Sequence, residues 1–166
     1  MINSHLSRQI RQNFPHTPTN EQLFALNILA DFLLSANENS ALLLKGYAGT
    51  GKTSLVGALV KTMSGLKQKS VLLAPTGRAA KVLSNYAGQQ AFTIHKKIYR
   101  QDAFSNDLSA FHPSDNLHKD TLFIVDEASM ISNQGIDSHY FGSGRLLDDL
   151  IHYVYSGENC RLMLMG

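Results

Sequence analysis

Residues 41–56 read ALLLKGYAGTGKTSLV, and the fold turns on how they are read. SALLLKG, 40–46, is a short continuous apolar run closed by glycine, whereas KTSLVGALVKTMSGL, 52–66, regains apolar residues at 55, 59, 63 and 66. The first pattern suits a buried strand and the second has the period of a helix, so the segment is strand, loop, helix. Between them GYAGTGKT, Gly46 to Thr53, satisfies Gly-x-x-x-x-Gly-Lys-Thr. Glycines let backbone N–H groups turn inward around a polyanion, and the helix N-terminus adds partial positive charge. The product is a phosphate cradle, in which Lys52 can reach the β and γ phosphates of ATP and the Thr53 hydroxyl can ligate a bridging Mg²⁺. Gly46, Ala48, Gly49, Thr50, Gly51, Lys52, Thr53 and Ser54 are the candidate nucleotide-binding residues of this stretch.

The same alternation extends along the chain. SVLLAP, 70–75, leads into TGRAAKVLSNYA, 76–87; TLFIVDE, 121–127, is another run that reads as buried on both faces; a helix near 143–155 precedes CRLMLMG. Strands alternating with helices indicate an α/β domain with a parallel sheet. Upstream, TNEQLFALNILADFLLSA, 19–36, has apolar side chains at 23, 26, 30, 33 and 34, and Thr19 with Gln22 has the form of a capping box. Residues 1–18 read as an N-terminal segment, and 99–119, poor in periodicity and rich in Ser, Asn and Asp, as an excursion from the core.

Composition narrows the function classes. The 166 residues are 43% hydrophobic and 17% charged, enough for one packed domain and unlike a disordered tail. A formal charge of +2 leaves no dense cationic surface, so any nucleic-acid contact must be local. A lone cysteine, Cys160, excludes an intramolecular disulfide framework and fits a reducing cytosol, so the expected location is cytoplasmic. Apolar runs such as Ala41 to Leu44 are far short of a bilayer span, and the first residues lack a hydrophobic signal core. No membrane association is expected.

LFIVDEAS, 122–129, places Asp126 and Glu127 at the carboxyl end of a buried strand, the edge where such sheets bind ligands. Asp126 suits the Mg²⁺ shell through water, and Glu127 suits polarising the water that attacks the γ phosphate. Lys52 and Glu127 are therefore the candidate catalytic residues, and Thr53 and Asp126 the candidate metal-binding ones. The alternative is that the acidic pair caps the following helix.

GYAGTGKTS, LLAPTGRAAKVL, FTIHKKI and LFIVDEASMI, in this order and at these intervals, resemble motifs I, Ia, Ib and II of superfamily 1 DNA helicases, and most closely the RecD-like and Dda-like group. The resemblance runs from about residue 17 to the end. It implies a RecA-like P-loop domain whose strand order is motif Ia, motif II, motif III, phosphate loop, with CRLMLMG as a central strand. It implies that Gln22 reads adenine, although the residue equally completes the Thr19 capping box. It also implies that Pro75, Thr76, Gly77 and Arg78 hold one phosphate of single-stranded DNA, and Thr93 and His95 the next. Local alternatives are a helix N-cap for Thr76 and a half-buried helical histidine for His95. Arg78 could pair with phosphate or with a carboxylate; Phe92 reads as core rather than a stacking platform. The remaining histidines have no metal-ligand spacing and read as surface residues. The 99–119 excursion falls where the group carries a strand-separating pin, with Phe104 and Phe111 as wedge candidates or as anchors.

In that family a second motor domain, absent from these 166 residues, supplies arginines that stabilise charge on the transferring phosphoryl group; losing such a finger costs about three to five orders of magnitude in rate. The expectation for this chain alone is weak binding of ATP or ADP, very slow hydrolysis and no translocation. An exposed sheet edge would favour a weak homodimer. The alternatives to a motor domain are a nucleotide-dependent switch without motor activity and, third, a small-molecule kinase.

Overall fold

A computed structural model describes residues 2–47, 49–101, 111–133 and 141–166. Seven strands and six helices alternate through them: α1 Ile2–Gln12, α2 Asn20–Leu34, β1 Ala41–Leu44, α3 Lys52–Gly65, β2 Lys69–Ala74, α4 Gly77–Ala87, β3 Ala91–Thr93, α5 Ile94–Ile98, β4 Tyr99–Gln101, β5 Phe111–Pro113, β6 Thr121–Val125, α6 Leu146–Ser156 and β7 Arg161–Met165. Five strands form one parallel sheet in the order β1-β7-β6-β2-β3. The expected order is present, with CRLMLMG central between β6 and β1. A fifth strand, β3, is added beyond β2, with Ala74 opposite Thr93.

Alternation along the strands sorts the core into two layers. Leu122 and Ile124 of β6, Met163 and Met165 of β7 and Leu72 of β2 pack with α1–α4 on one face. Phe123, Val125, Leu162 and Leu73 point the other way, against α5, α6 and Tyr99. Strands covered on both faces are mostly apolar, and every residue of β6 is buried, the one polar side chain, Thr121, donating its hydroxyl to the Lys119 carbonyl. β1 differs: as an edge strand its residues alternate between exposed and half-buried, and Leu43 is 53% exposed.

Residues 2–12, within the N-terminal segment, form a helix that packs on the sheet-bearing core. Ile10 is fully buried against the first layer, and Asn13 donates from Nδ2 to Thr62 Oγ1 of α3 at 2.9 Å. α2 begins with the expected capping box: Thr19 Oγ1 accepts from Gln22 N, and Gln22 Oε1 accepts from Thr19 N at 2.9 Å. It ends where Arg161 reaches across from β7 and donates to the carbonyls of Phe32 and Ser35. The last helix starts at Leu146, three residues after the expected position. No described helix is long and apolar enough to cross a membrane.

Candidate functional site

The phosphate loop joins the carboxyl end of β1 to the first turn of α3. Gly49 and Gly51 have φ of +81° and +84°, a region that side chains rarely occupy. At Gly51 there is a second reason for glycine, since a Cβ there would lie 2.0 Å from Gln22 Nε2. Gly51 is the N-cap of α3 and offers no side chain to the first-turn N–H groups, which are therefore presented to an anion. Lys52 Nζ donates to the Gly46 carbonyl and, at 3.2 Å, to that of Tyr47; Thr50 Oγ1 donates to the same Tyr47 oxygen at 2.7 Å. The loop is thus laced by its own lysine and threonine. Thr53 is exposed and Ser54 half-buried, its hydroxyl 3.2 Å from His16 Nε2. Ala48 lies outside the described residues.

Gln22 is buried with both ends of its amide engaged: Oε1 in the capping box, and Nε2 donating to the Gly51 carbonyl at 3.3 Å. The capping alternative is therefore realised, and the same side chain fastens α2 to the phosphate loop.

Asp126 follows β6 on the same sheet edge. Its backbone N–H donates to Leu73 O at 3.0 Å. Its Oδ1 accepts from Glu127 N at 2.8 Å, and its Oδ2 accepts from the Tyr86 hydroxyl at 2.7 Å. Burial, and then the hydrogen bond to Asp126, push the Tyr86 hydroxyl far above its ordinary range, so it stays a donor. Glu127 is exposed and sits at a left-handed φ of +53°. It occupies the N-cap of a short 3-10 turn, Ala128–Met130, yet its side chain makes no cap hydrogen bond. Helix capping does not account for this carboxylate, and a left-handed non-glycine residue costs about 1–2 kcal/mol.

What brings loop and acid pair together is the end of β7. Gly46 N donates to Gly166 O at 3.4 Å and Gly166 N to Leu44 O at 3.2 Å. A Cβ on Gly166 would approach Ser129 N to 2.9 Å and Ala128 N to 3.4 Å. One residue is thus wedged between the first glycine of the loop and the turn after Asp126-Glu127, and β1 and β6 lie two strand spacings apart, about 10 Å. A cavity of about 810 Å³ opens along this seam, lined by Lys45, Gly46, Tyr47, Ala128, Ser129 and Gly166 among others.

The donor chemistry fits Mg²⁺. Thr53 and Asp126 offer hard oxygen ligands, and among the described residues no cluster of three or more His, Cys, Asp or Glu gathers as an all-protein metal cage. One or two protein oxygens completed by substrate phosphates and water is the arrangement Mg²⁺ favours.

The residues expected at DNA sit on the same edge, at the ends of β2 and β3, the next two strands after β6. Thr76 is the N-cap of α4, its Oγ1 accepting from Ala79 N at 3.2 Å, and Thr93 is the N-cap of α5, accepting from Lys96 N at 3.2 Å. Because Ala74 pairs with Thr93, the two helices start side by side, with Gly77 and Arg78 exposed and Pro75 half-buried. The half-buried His95 ring meets Phe141 edge-on at 4.8 Å and Tyr99 at 5.7 Å. Phe92 packs on the second core layer while Lys96 and Lys97 reach over its ring.

The ends of the 99–119 excursion form a two-stranded antiparallel ribbon, β4 with β5. Phe111 stacks on Phe141 at 4.8 Å, as an anchor does; Phe104 lies outside the described residues. His118 departs from its surface reading, since it is half-buried with its ring against Phe123, and burial lowers its pKa. His139 lies outside the described residues. Sequence reasoning missed Tyr86 and the Tyr99–Asp149 pair, joined at 2.6 Å, because neither stands in a motif.

A family model described as an AAA domain matches residues 29–139, more than half of the chain. An uncharacterized protein of Methanocaldococcus jannaschii is 29% identical over 160 residues, covering 86% of this chain and 13% of its own length. The ATP-dependent RecD2 DNA helicase of Deinococcus radiodurans is 34% identical over 54% of the chain and 12% of its own length. The ATP-dependent DNA helicase dda of Enterobacteria phage T4 is 36% identical over 52% of the chain and 20% of its own length. The chain spans a fifth or less of these relatives. With its parallel sheet and phosphate loop, the chain belongs to the AAA-domain family and has a RecA-like P-loop fold; over about half of its length it is similar to the RecD2 and dda helicases.

Proposed function

We propose that this domain binds and hydrolyses ATP as the first motor domain of a DNA helicase, coupling hydrolysis to movement along single-stranded DNA in the full-length protein. The observation that carries the reading is Gly166, wedged between Gly46 and the turn after Asp126-Glu127, so that only β7 separates the strands that lead into the phosphate loop and the acid pair. Lys52 exchanges its loop carbonyls for the β and γ phosphates when a triphosphate enters, and the first-turn N–H groups of α3 take the remaining charge. Thr53 directly and Asp126 through water would hold Mg²⁺, which would supply charge neutralisation at the phosphoryl oxygens. Glu127, exposed and not engaged in capping, takes a proton from the attacking water. Gln22 meets adenine only in a state that releases its present partners.

Thr76 and Arg78 at one helix start, and Thr93 and His95 at the next, hold successive phosphates without reading sequence. A second motor domain supplies the transition-state arginine. The free edge of β1, with Leu43 53% and Phe24 68% exposed beside it, supports weak self-association of this chain.

The deciding experiment measures phosphate release from the 166-residue chain, and from a longer polypeptide with the next domain, with and without single-stranded DNA. The motor reading predicts slow turnover of the short chain and DNA-stimulated turnover of the long one. Equal, DNA-independent rates defeat it.

A further inference from the structure

Tyr86 stands where three functional elements meet. Its hydroxyl donates to Asp126 Oδ2 at 2.7 Å, across 40 residues of sequence, although the residue belongs to α4 and Asp126 follows β6. Its backbone carbonyl faces α3, the helix that starts in the phosphate loop, closely enough that a Cβ on Gly57 would come within 3.3 Å of it. Side chains on a helix lean toward its N-terminus, which carries the ring from the last turn of α4 up to the ligand-binding edge of the sheet. With Glu127 N on Oδ1, the carboxylate is held at both oxygens, each keeping one acceptor position.

We infer that Tyr86 is a positioning residue for the metal site: its hydroxyl fixes the Asp126 carboxylate in the orientation that receives the hydrated Mg²⁺ accompanying the nucleotide. The inference rests on the site reading above and goes beyond it, because no motif contains Tyr86. Outer-shell partners of metal ligands characteristically contribute ten- to a hundredfold in metal affinity. A hydroxyl that donates to one oxygen also draws charge from it, which suits a ligand that holds Mg²⁺ through water rather than directly.

The test uses the chain as it is. A fluorescent ADP analogue is bound without metal, and Mg²⁺ is then titrated into wild type, Tyr86→Phe and Asp126→Asn. The expected result is equal metal-free affinity in wild type and Tyr86→Phe, a Mg²⁺ midpoint raised about tenfold in Tyr86→Phe, and no Mg²⁺ response in Asp126→Asn. An unchanged midpoint in Tyr86→Phe beside a lost response in Asp126→Asn overturns the inference and leaves the site reading standing. A retained response in Asp126→Asn overturns the site reading itself. Weaker metal-free binding in Tyr86→Phe, or failure of that variant to fold, makes the hydroxyl a general structural support and also overturns the inference.

Discussion

Gly51 is held to glycine twice, by a φ of +84° and by Gln22 Nε2 standing 2.0 Å from where a Cβ would be. Gly51→Ala therefore both strains the backbone and displaces Gln22 from its capping box. The expected loss is about 2–4 kcal/mol, adding a left-handed penalty to a broken hydrogen bond, read as a lower urea midpoint. Gln22→Ala isolates the second part and is expected to cost about 1–3 kcal/mol. At Glu127 the outcome is of a different kind. The side chain is exposed and does not cap, so Glu127→Gln is expected to leave folding and ADP affinity unchanged while slowing phosphate release about a hundredfold or more. Phosphate release and nucleotide binding measured on the same preparation check both halves. Lys52, Asp126 and Glu127 could be singled out as candidates in the sequence because each stands in a dense local pattern. Tyr86 could not, because its hydrogen bond to Asp126 exists only once α4 packs on β2, the neighbour of β6.

The helices and strands show the same division. α2, α3 and α4 could be read from apolar spacing and from Thr19 and Thr76, whose side chains cap as their positions suggested. β6 could be read because, after Thr121, it runs through Leu122, Phe123, Ile124 and Val125 with no polar residue, as a strand covered on both faces does. β3 escaped because three residues carry too little periodicity, and their strand state is imposed by pairing with β2. α1 escaped because its only fully buried residue is Ile10 and the rest of its surface is largely polar. Ile10→Ala is expected to cost about 2–4 kcal/mol, the range for emptying a close-packed site, which a lead-in segment would not show. At the edge carrying Thr76 and Thr93, Arg78→Ala is expected to weaken binding of single-stranded oligonucleotides. It should also lower the slope of log affinity against log salt by about 0.7, the signature of one lost phosphate contact. Fluorescence anisotropy over a salt series reads that slope.

At the scale of the whole molecule, the candidate site residues gather at one edge of the sheet. Every strand of the large sheet runs the same way, so the phosphate loop, the acid pair and the two helix starts at Thr76 and Thr93 emerge together, and α1–α4 and α5–α6 serve as the two supporting layers. Among the described residues β1 ends the sheet on the phosphate-loop side with no strand paired beyond it, beside a groove of about 530 Å³ lined by Phe24, Ile28 and Leu43 among others. Leu43→Lys is expected to shift any self-association seen by sedimentation toward monomer, since a charged residue on an edge blocks pairing. The central claim is that the loop and the acid pair form one nucleotide site. Its most direct test is calorimetric titration of ADP with Mg²⁺ into wild type and Lys52→Ala. The geometry predicts one site in wild type and affinity about ten- to a hundredfold weaker in Lys52→Ala, the value of a hydrogen bond to a charged group. No heat from wild type at millimolar ADP, or equal affinity in the two proteins, would contradict it.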